Sequence, residues 1–472
     1  MKKKIKIIVV LFLLYVLVGA LLPFTFHPEV SQEIKDEYNR EDYYGSNAEG
    51  YYRAAVIESN KEALDIRLQM FDKARERIIF STFDIRAGKS TTDIFSALLA
   101  AADRGVKVEI LVDGLFGGVH MGTNSIFYAA GSHPNIEIRF YNIPNVLKPW
   151  TMNGRLHDKY ILVDDSLLLL GGRNTFDYFL GDTVKGGSYD REVLVTEEST
   201  RRQEAGVMQE MLLYFEEVWN SKYCKTAYNS TPFWKGDITP VKEELAIHYQ
   251  NLKAEQQELS EAETDFTART VPIQNATLIS NPSHILSKEP VVWFQLMELI
   301  KGAEQGAYIQ TPYAVFSKAM YRDLEQAVKA QGNIIMQINA PAAGDNFVAS
   351  ADYLFNKKKL YKTGVKVYEF QGNHSSHGKS MLIDNDLSVI GSFNLDMRSA
   401  YIDTEVALVI HGEAFNRLLK EEINKLHESS IAVDSNGTYE VNSQVKPAVM
   451  PLYKKLLLKL SSILFQLFRF LI

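Results

Sequence analysis

The chain has 472 residues, 46% of them hydrophobic and 23% charged, the balance of a folded protein that is too long for one ordinary core. Its formal net charge of −7 weighs against a bulk polyanion such as nucleic acid as partner, because binders of that class carry a basic surplus. Cys224 is the sole cysteine, which excludes an intrachain disulfide and a multi-cysteine zinc site.

The first element is apolar. Lys2, Lys3, Lys4 and Lys6 precede an uncharged run from Ile7 to Phe24. About 18 apolar residues just reach across a bilayer core. An uncleaved anchor and a cleaved secretory signal both fit this pattern. Val18 and Ala20 suit a signal peptidase, but Leu21, Leu22 and Pro23 continue the run and make a poor mature start, so residues 1–26 are read as an anchor. Lysines ahead of the span keep the N-terminus cytoplasmic. The expectation is a single-pass protein of the cell membrane with its remaining chain outside.

After a polar stretch from Gln32 to Asn47, strand and helix signals alternate. Arg77 to Asp84 reads as a strand, Ser90 to Asp103 as an amphipathic helix and Lys107 to Asp113 as a second strand, with Gly105 at the turn. Strand–helix–strand order implies a parallel pair with a crossover. The order returns with strand-like Ala307 to Pro312, helix-like Ser317 to Gln331 and strand-like Asn333 to Asn339. Between them, Ala246 to Thr270 is polar and helix-favouring, with Lys253, Glu255, Glu258, Glu261 and Glu263, and reads as a solvated linker. The fold class expected is α/β, an internal duplication of two similar domains (45–245 and 271–430) joined by residues 246–270.

Each half ends in the same constellation. Arg155 to Asn174 reads RLHDKYILVDDSLLLLGGRN, and His377 to Asn394 reads HGKSMLIDNDLSVIGSFN. Lysine, aspartate and asparagine follow the histidine by 2, 7 and 17 residues in both: His157, Lys159, Asp164 and Asn174, then His377, Lys379, Asp384 and Asn394. An acidic residue in a strand-like context follows each block, Glu192 in DREVLV and Glu405 in DTEVALV. Apolar runs on either side of Asp164-Asp165-Ser166 predict a β-hairpin. Histidine and lysine two apart on an extended segment share a face. Imidazole, ammonium and carboxamide together suit a phosphate, where fixed donors and positive charge stabilise the transition state. A lone His-x-Lys is common and would signify only a polar strand end. Two copies at equal offsets are hard to obtain by chance or by folding need, and both are intact.

These blocks resemble the paired His-x-Lys-x4-Asp motifs of the phospholipase D superfamily, over about Arg77 to Ile410. The resemblance implies two phospholipase D-like α/β domains whose motifs meet at a pseudo-twofold interface. It also implies that one histidine attacks phosphorus to form a phosphohistidine while the other protonates the leaving alcohol, with no metal or other cofactor. By analogy the nucleophile is His157 and the acid/base His377. Lys159, Lys379, Asn174, Asn394 and Ser392 match phosphate-binding positions, and Glu192 and Glu405 the carboxylates that orient the histidines. Asp164 and Asp384 belong to the motif but fall at the hairpin turn, where a structural role is expected. Gly172 stands where the second half has Ser392, so the halves are not equivalent there. The continuation after Asn394, with Asp396, Arg398 and Ser399, resembles bacterial cardiolipin synthases of this type, and RLHDKYILVDD, GGRN and the TPY at Thr311 resemble their class C branch. A salt bridge from Arg398 to Asp403 or Glu405 would explain that arginine without a substrate.

The C-terminus (450–472) completes the pattern. At helical spacing Lys454, Lys455, Lys459, Ser462, Gln466 and Arg469 fall on one side, and Leu456, Leu457, Leu460, Ile463, Leu464, Leu467, Phe468 and Leu471 on the other, with Leu458 and Phe465 out of place. A basic amphipathic helix on a membrane surface is expected, with docking on the protein's own core as the alternative. The partners implied are phospholipid substrates in the bilayer. Phosphatidyl transfer that makes cardiolipin is the leading function; a phospholipase or nuclease of the same superfamily and a non-catalytic membrane scaffold are the rivals.

Overall fold

Runs of alternating and continuous apolar residues form strands where the sequence places them. In the computed structural model, which describes residues 2–45, 52–197, 206–256, 265–441 and 444–472, Arg77–Thr82 and Lys107–Asp113 are parallel neighbours joined by the helix Lys89–Asp103. Ala307–Gln310 and Ile334–Asn339 are likewise parallel and joined by Lys318–Gln331, whose N-cap Ser317 accepts the Met320 N–H.

These pairs sit in two mixed sheets of the same order. The first runs Cys224–Ala227, Ile136–Tyr141, Lys107–Asp113, Arg77–Thr82, Tyr160–Val163, Leu167–Gly171, Glu192–Glu197, Tyr52–Ile57, and ends on Val271–Ile273. The second runs Ser430–Val433, Lys366–Phe370, Ile334–Asn339, Ala307–Gln310, Ser380–Ile383, Leu387–Gly391, Val406–His411 and Asn275–Ser280. Eight strands correspond one to one, so the duplication in the motifs is a duplication of the whole sheet. The extra strand, Val271–Ile273, leads into the second half yet pairs with Tyr52–Ile57 of the first and ties the two together.

Each sheet buries one face under its own helices. Ile94, Leu98 and Phe127 fill the first of these cores, and Trp293, Leu296 and Leu324 the second. A third cluster joins Leu162, Leu168 and Val193 of the first sheet to Ile390, Val406 and Leu408 of the second, with Phe215 and Phe415 from the helices Val207–Trp219 and Glu413–His427. Burial on the order of 1.5–3 kcal/mol per large apolar side chain makes this shared core a firm joint.

The N-terminal helix Lys2–Leu21 is solvent-exposed along its apolar length and, among the described residues, is the one helix long and apolar enough to cross a membrane. Its last turns meet the body: Tyr15 Oη donates to Leu147 O at 2.8 Å and Asn153 Nδ2 to Ala20 O at 2.6 Å, and Phe24 is fully buried in the second core.

Two expectations change. The helix Thr239–Gln256 begins before the anticipated linker and is docked, not solvated: Leu245 is buried, His248 Nε2 meets Asp93 at 2.6 Å, and Tyr249 Oη and Lys253 Nζ reach Asp72 at 2.7 and 2.6 Å. Residues 257–264 of that segment lie outside the described residues. The C-terminal helix Leu452–Leu464 is also docked, through its polar side. Leu458 is fully buried, Ser462 is buried, and beyond the helix Gln466 Nε2 and Arg469 Nε each reach Asp352 Oδ1 at 3.0 Å. Leu456, Leu460, Ile463 and Leu467 face outward, each more than half exposed. The out-of-place Leu458 is thus the apolar anchor within the inward polar stripe.

Candidate active site at the junction of the two halves

Each motif opens a hairpin near the middle of its sheet, Tyr160–Val163 with Leu167–Gly171 and Ser380–Ile383 with Leu387–Gly391. The hairpin turns hold Asp164 and Asp384 in the left-handed region, at φ 51° and 56°, which aspartate tolerates better than most residues. Asp164 accepts the N–H groups of Arg75, Glu76 and Arg77 at 2.7–2.9 Å, and Asp384 those of Glu304, Gln305 and Gly306. In both halves the motif aspartate clips the hairpin turn to the start of the neighbouring strand, away from the histidine.

The histidine segments lie across the junction. Leu156 bridges Thr404 and Ser376 bridges Tyr189, both parallel, so the residue before each histidine pairs with the opposite half. His157 Nδ1 consequently meets Glu405 Oε1 at 2.8 Å, and His377 Nδ1 meets Asp190 Oδ2 at 2.7 Å. Thr404 Oγ1 accepts the His157 N–H at 3.1 Å, and Tyr189 O accepts that of His377 at 2.6 Å. An aromatic ring flanks each imidazole, Phe83 at 5.1 Å from His157 and Phe179 at 5.2 Å from His377.

Glu192 does not touch a histidine, which corrects the expected pairing. Its carboxylate is held by Arg67, with contacts of 2.5 and 2.8 Å, and by Arg173 at 3.5 Å. Strand register explains the error: Glu192 lies opposite Gly171, whereas the residue opposite Gly391 is Ala407. Two residues before these stand Asp190 and Glu405, which are therefore the true equivalents. The match of Glu-Val in both sequences concealed that shift.

Register also accounts for Gly172. A Cβ there would lie 2.3 Å from Asp190 Oδ1, so glycine admits the carboxylate against the backbone. In the second half Ser392 Oγ donates to Glu405 Oε2, and Ser399 Oγ donates to Glu405 Oε1 at 2.6 Å. Lys159 and Lys379 are buried; Lys379 Nζ lies 2.8 and 3.1 Å from the two ring nitrogens of His377, and Lys159 Nζ donates to His157 O at 2.5 Å. Asn174 and Asn394 are nearly buried, and their side-chain oxygens have no hydrogen-bond partner among the described residues. Arg398 is held without a substrate, by Asp403 at 2.8 Å and by the backbone oxygens of Asn153 and Leu471 at 2.6 and 3.2 Å.

A family model described as cardiolipin synthase, PLD-like domain, matches residues 68–219 and 296–427, one copy in each half. The chain belongs to the phospholipase D-like family. Cardiolipin synthase C of Escherichia coli K12 is 26% identical over 462 residues, covering 86% of this chain and 94% of that protein. Cardiolipin synthase A of Edwardsiella ictaluri is 24% identical over 364 residues, 76% of this chain and 66% of that protein. Among solved structures, phosphatidylserine synthase of Haemophilus influenzae superposes with a TM-score of 0.64 at 16% identity, covering 91% of this chain and 97% of that one.

Electrostatics differ between the two pairs of this phospholipase D-like site. Burial, followed by the Lys159 charge, holds His157 well below the usual imidazole value. Burial and Lys379 lower His377 as well, but Asp190 opposes them. Burial pushes Glu405 up to about 8 against the pull of Lys159. Asp190 goes the other way: burial would raise it, but His377, Lys379 and Arg173 together hold it far below the usual carboxylate range. Burial brings both lysines down to about 8. Charges in one half thus act on groups of the other, Lys379 on His157 and Lys159 on Glu405, as a single shared site requires.

Proposed function

We propose that the protein is a membrane-associated phosphatidyltransferase that makes cardiolipin through a phosphohistidine intermediate. The crossed pairs His157–Glu405 and His377–Asp190 carry this reading, because each half supplies the carboxylate that orients the other half's imidazole. His157 gives its Nδ1–H to Glu405 Oε1, which leaves the Nε2 lone pair for phosphorus. When Glu405 is protonated, the Ser392 hydroxyl turns its own hydrogen to Val406 O and accepts the proton on Oε2, while Oε1 still accepts from His157. As the Nε2–P bond forms, the P–O bond to the leaving alcohol breaks and His377 gives that oxygen its proton. In the second step His377 takes the proton of the acceptor hydroxyl, the new P–O bond forms and His157 is released. Lys159 and Lys379 offset the charge on the phosphoryl oxygens.

Cardiolipin synthases among the relatives and the outward apolar faces of both terminal helices favour a lipid acceptor over water. Water stands at about 55 M, so a transferase must hold the lipid hydroxyl against the intermediate and keep water out. The His157 and His377 side chains are only 13% and 10% exposed, in keeping with such exclusion. Purified protein given phosphatidylglycerol vesicles is expected to form cardiolipin in excess of phosphatidic acid, with a higher yield when phosphatidylethanolamine is added as co-substrate. Phosphatidic acid as the main product under every acceptor condition would leave a phospholipase in its place.

A further inference from the structure

The segment between the first sheet and His157 forms a built cavity at the foot of the N-terminal helix. Asn142, in the left-handed region at φ 49°, donates from Nδ2 to Thr151 O at 2.9 Å and Gly154 O at 2.6 Å. Thr151 Oγ1 accepts the Asn145 N–H at 2.9 Å and donates to Lys148 O at 2.7 Å. Gly154 abuts Ile285 so closely that a Cβ would lie 2.4 Å from its carbonyl oxygen. These bonds brace the wall of a cavity of about 880 Å³, within the range of small-molecule sites and so large enough for a lipid headgroup and the first part of its chains.

Its chemistry has two parts. Ile143, Val146, Trp150, Ile285 and Leu286 supply apolar lining, while Lys148, Lys222 and Lys225 supply charge and no carboxylate lines the space. None of the three lysines forms a salt bridge among the described residues, in a chain whose net charge is −7. Cations over an apolar trough match an anionic head attached to acyl chains.

Position supplies the occupant. Leu147, which follows Val146 in the wall, accepts from Tyr15 of the N-terminal helix, and Gly19 packs on Pro149 with room for no Cβ. Tyr15 precedes the helix end at Leu21 by six residues, or about 9 Å of rise. Ile143, Val146 and Leu147 are exposed beside those last turns. With the helix in a bilayer, these side chains lie where its last turns leave the membrane, in one cavity with the three lysines.

We propose that this cavity binds an anionic glycerophospholipid from the bilayer, at a site separate from the two histidines. The proposal rests on the N-terminal helix being in the membrane and not on the transfer reaction, so loss of turnover alone leaves it intact. The loop that forms the cavity continues directly into Arg155, Leu156 and His157, so a bound lipid lies against the segment that carries one of the two imidazoles.

The test uses the full chain in vesicles that contain acyl-brominated phosphatidylglycerol or acyl-brominated phosphatidylcholine. Tryptophan quenching is expected to be stronger with the anionic lipid, and the difference to vanish in Trp150→Phe. Replacing Lys148, Lys222 and Lys225 together by Gln is expected to weaken the anionic preference by roughly tenfold or more. The triple Arg variant retains the preference and guards against misfolding, as does unchanged turnover of a short-chain soluble phosphodiester by the Gln variant. Equal quenching by both lipids in the unmodified protein, or no change in the Gln variant, overturns the proposal. Competition by millimolar inorganic phosphate would do the same, by marking a site for free phosphate.

Discussion

The two halves carry the same eight strands, the same hairpins and the same turn aspartates, yet their histidine–carboxylate pairs are built differently. His157 faces Glu405, a longer acid served by the hydroxyls of Ser392 and Ser399 and pushed up by burial. His377 faces Asp190, a shorter acid admitted by Gly172 and held ionised by the surrounding cations. A neutral carboxyl beside a neutral imidazole suits a nucleophile, while an ionised carboxylate beside the other imidazole favours its protonated form, as a general acid needs. Duplication supplied two equal frames, the residues around the carboxylates make the two imidazole environments different, and the proposed mechanism uses that difference to divide the labour between them.

Removing either imidazole should have the largest effect. His157→Ala and His377→Ala are each expected to abolish turnover in a steady-state phosphodiester assay, and near-normal activity in either would break the shared-site account. Asp190→Asn should lower kcat by roughly 10²–10⁴-fold, the range for a general acid deprived of its charge state. Glu192→Gln should act on folding instead: breaking its buried ion pairs costs about 3–5 kcal/mol of stability, read as a lower denaturant midpoint with kcat retained. The reverse pattern would restore Glu192 as the partner of a histidine. Lys159→Ala and Lys379→Ala should each cost about 10²–10³-fold in kcat, or roughly 2.7–4 kcal/mol. The mildest effect is on pH. Both lysines titrate near 8 in the free protein, so kcat/KM should fall as pH rises through about 8 and their ammonium charge is lost. On the acid side His157 stays neutral to below its ordinary value, so the nucleophile remains available under mildly acidic conditions.

Much of this was legible in the residues. Strand–helix–strand order gave the parallel pair inside each sheet, and turn chemistry with the equal motif offsets gave the hairpin beside it, because periodicity and turn chemistry are local. What failed was long-range. Asp190 is hidden in the sequence because the pairing of Gly171 with Glu192, and of Gly391 with Ala407, is a matter of register that one strand does not reveal. The segment Ala246 to Thr270 reads as solvated in the sequence because the helix Thr239–Gln256 docks largely through His248, Tyr249 and Lys253 onto acids of the first half, which apolar periodicity does not report. The tail's amphipathic pattern was visible, but the side turned inward depended on Asp352, a fully buried carboxylate distant in sequence.

The most direct test follows the covalent bond. Protein with His377→Asn, mixed with a phosphatidyl ester of p-nitrophenol labelled at phosphorus and quenched in alkali, should retain label on a peptide containing His157, because p-nitrophenolate leaves without a proton from the second imidazole while breakdown of the intermediate still needs it. The His157→Asn protein should retain none. Label on a peptide containing His377 in the His157→Asn protein, or absence of acid-labile label in both, would contradict the division of roles between the two halves.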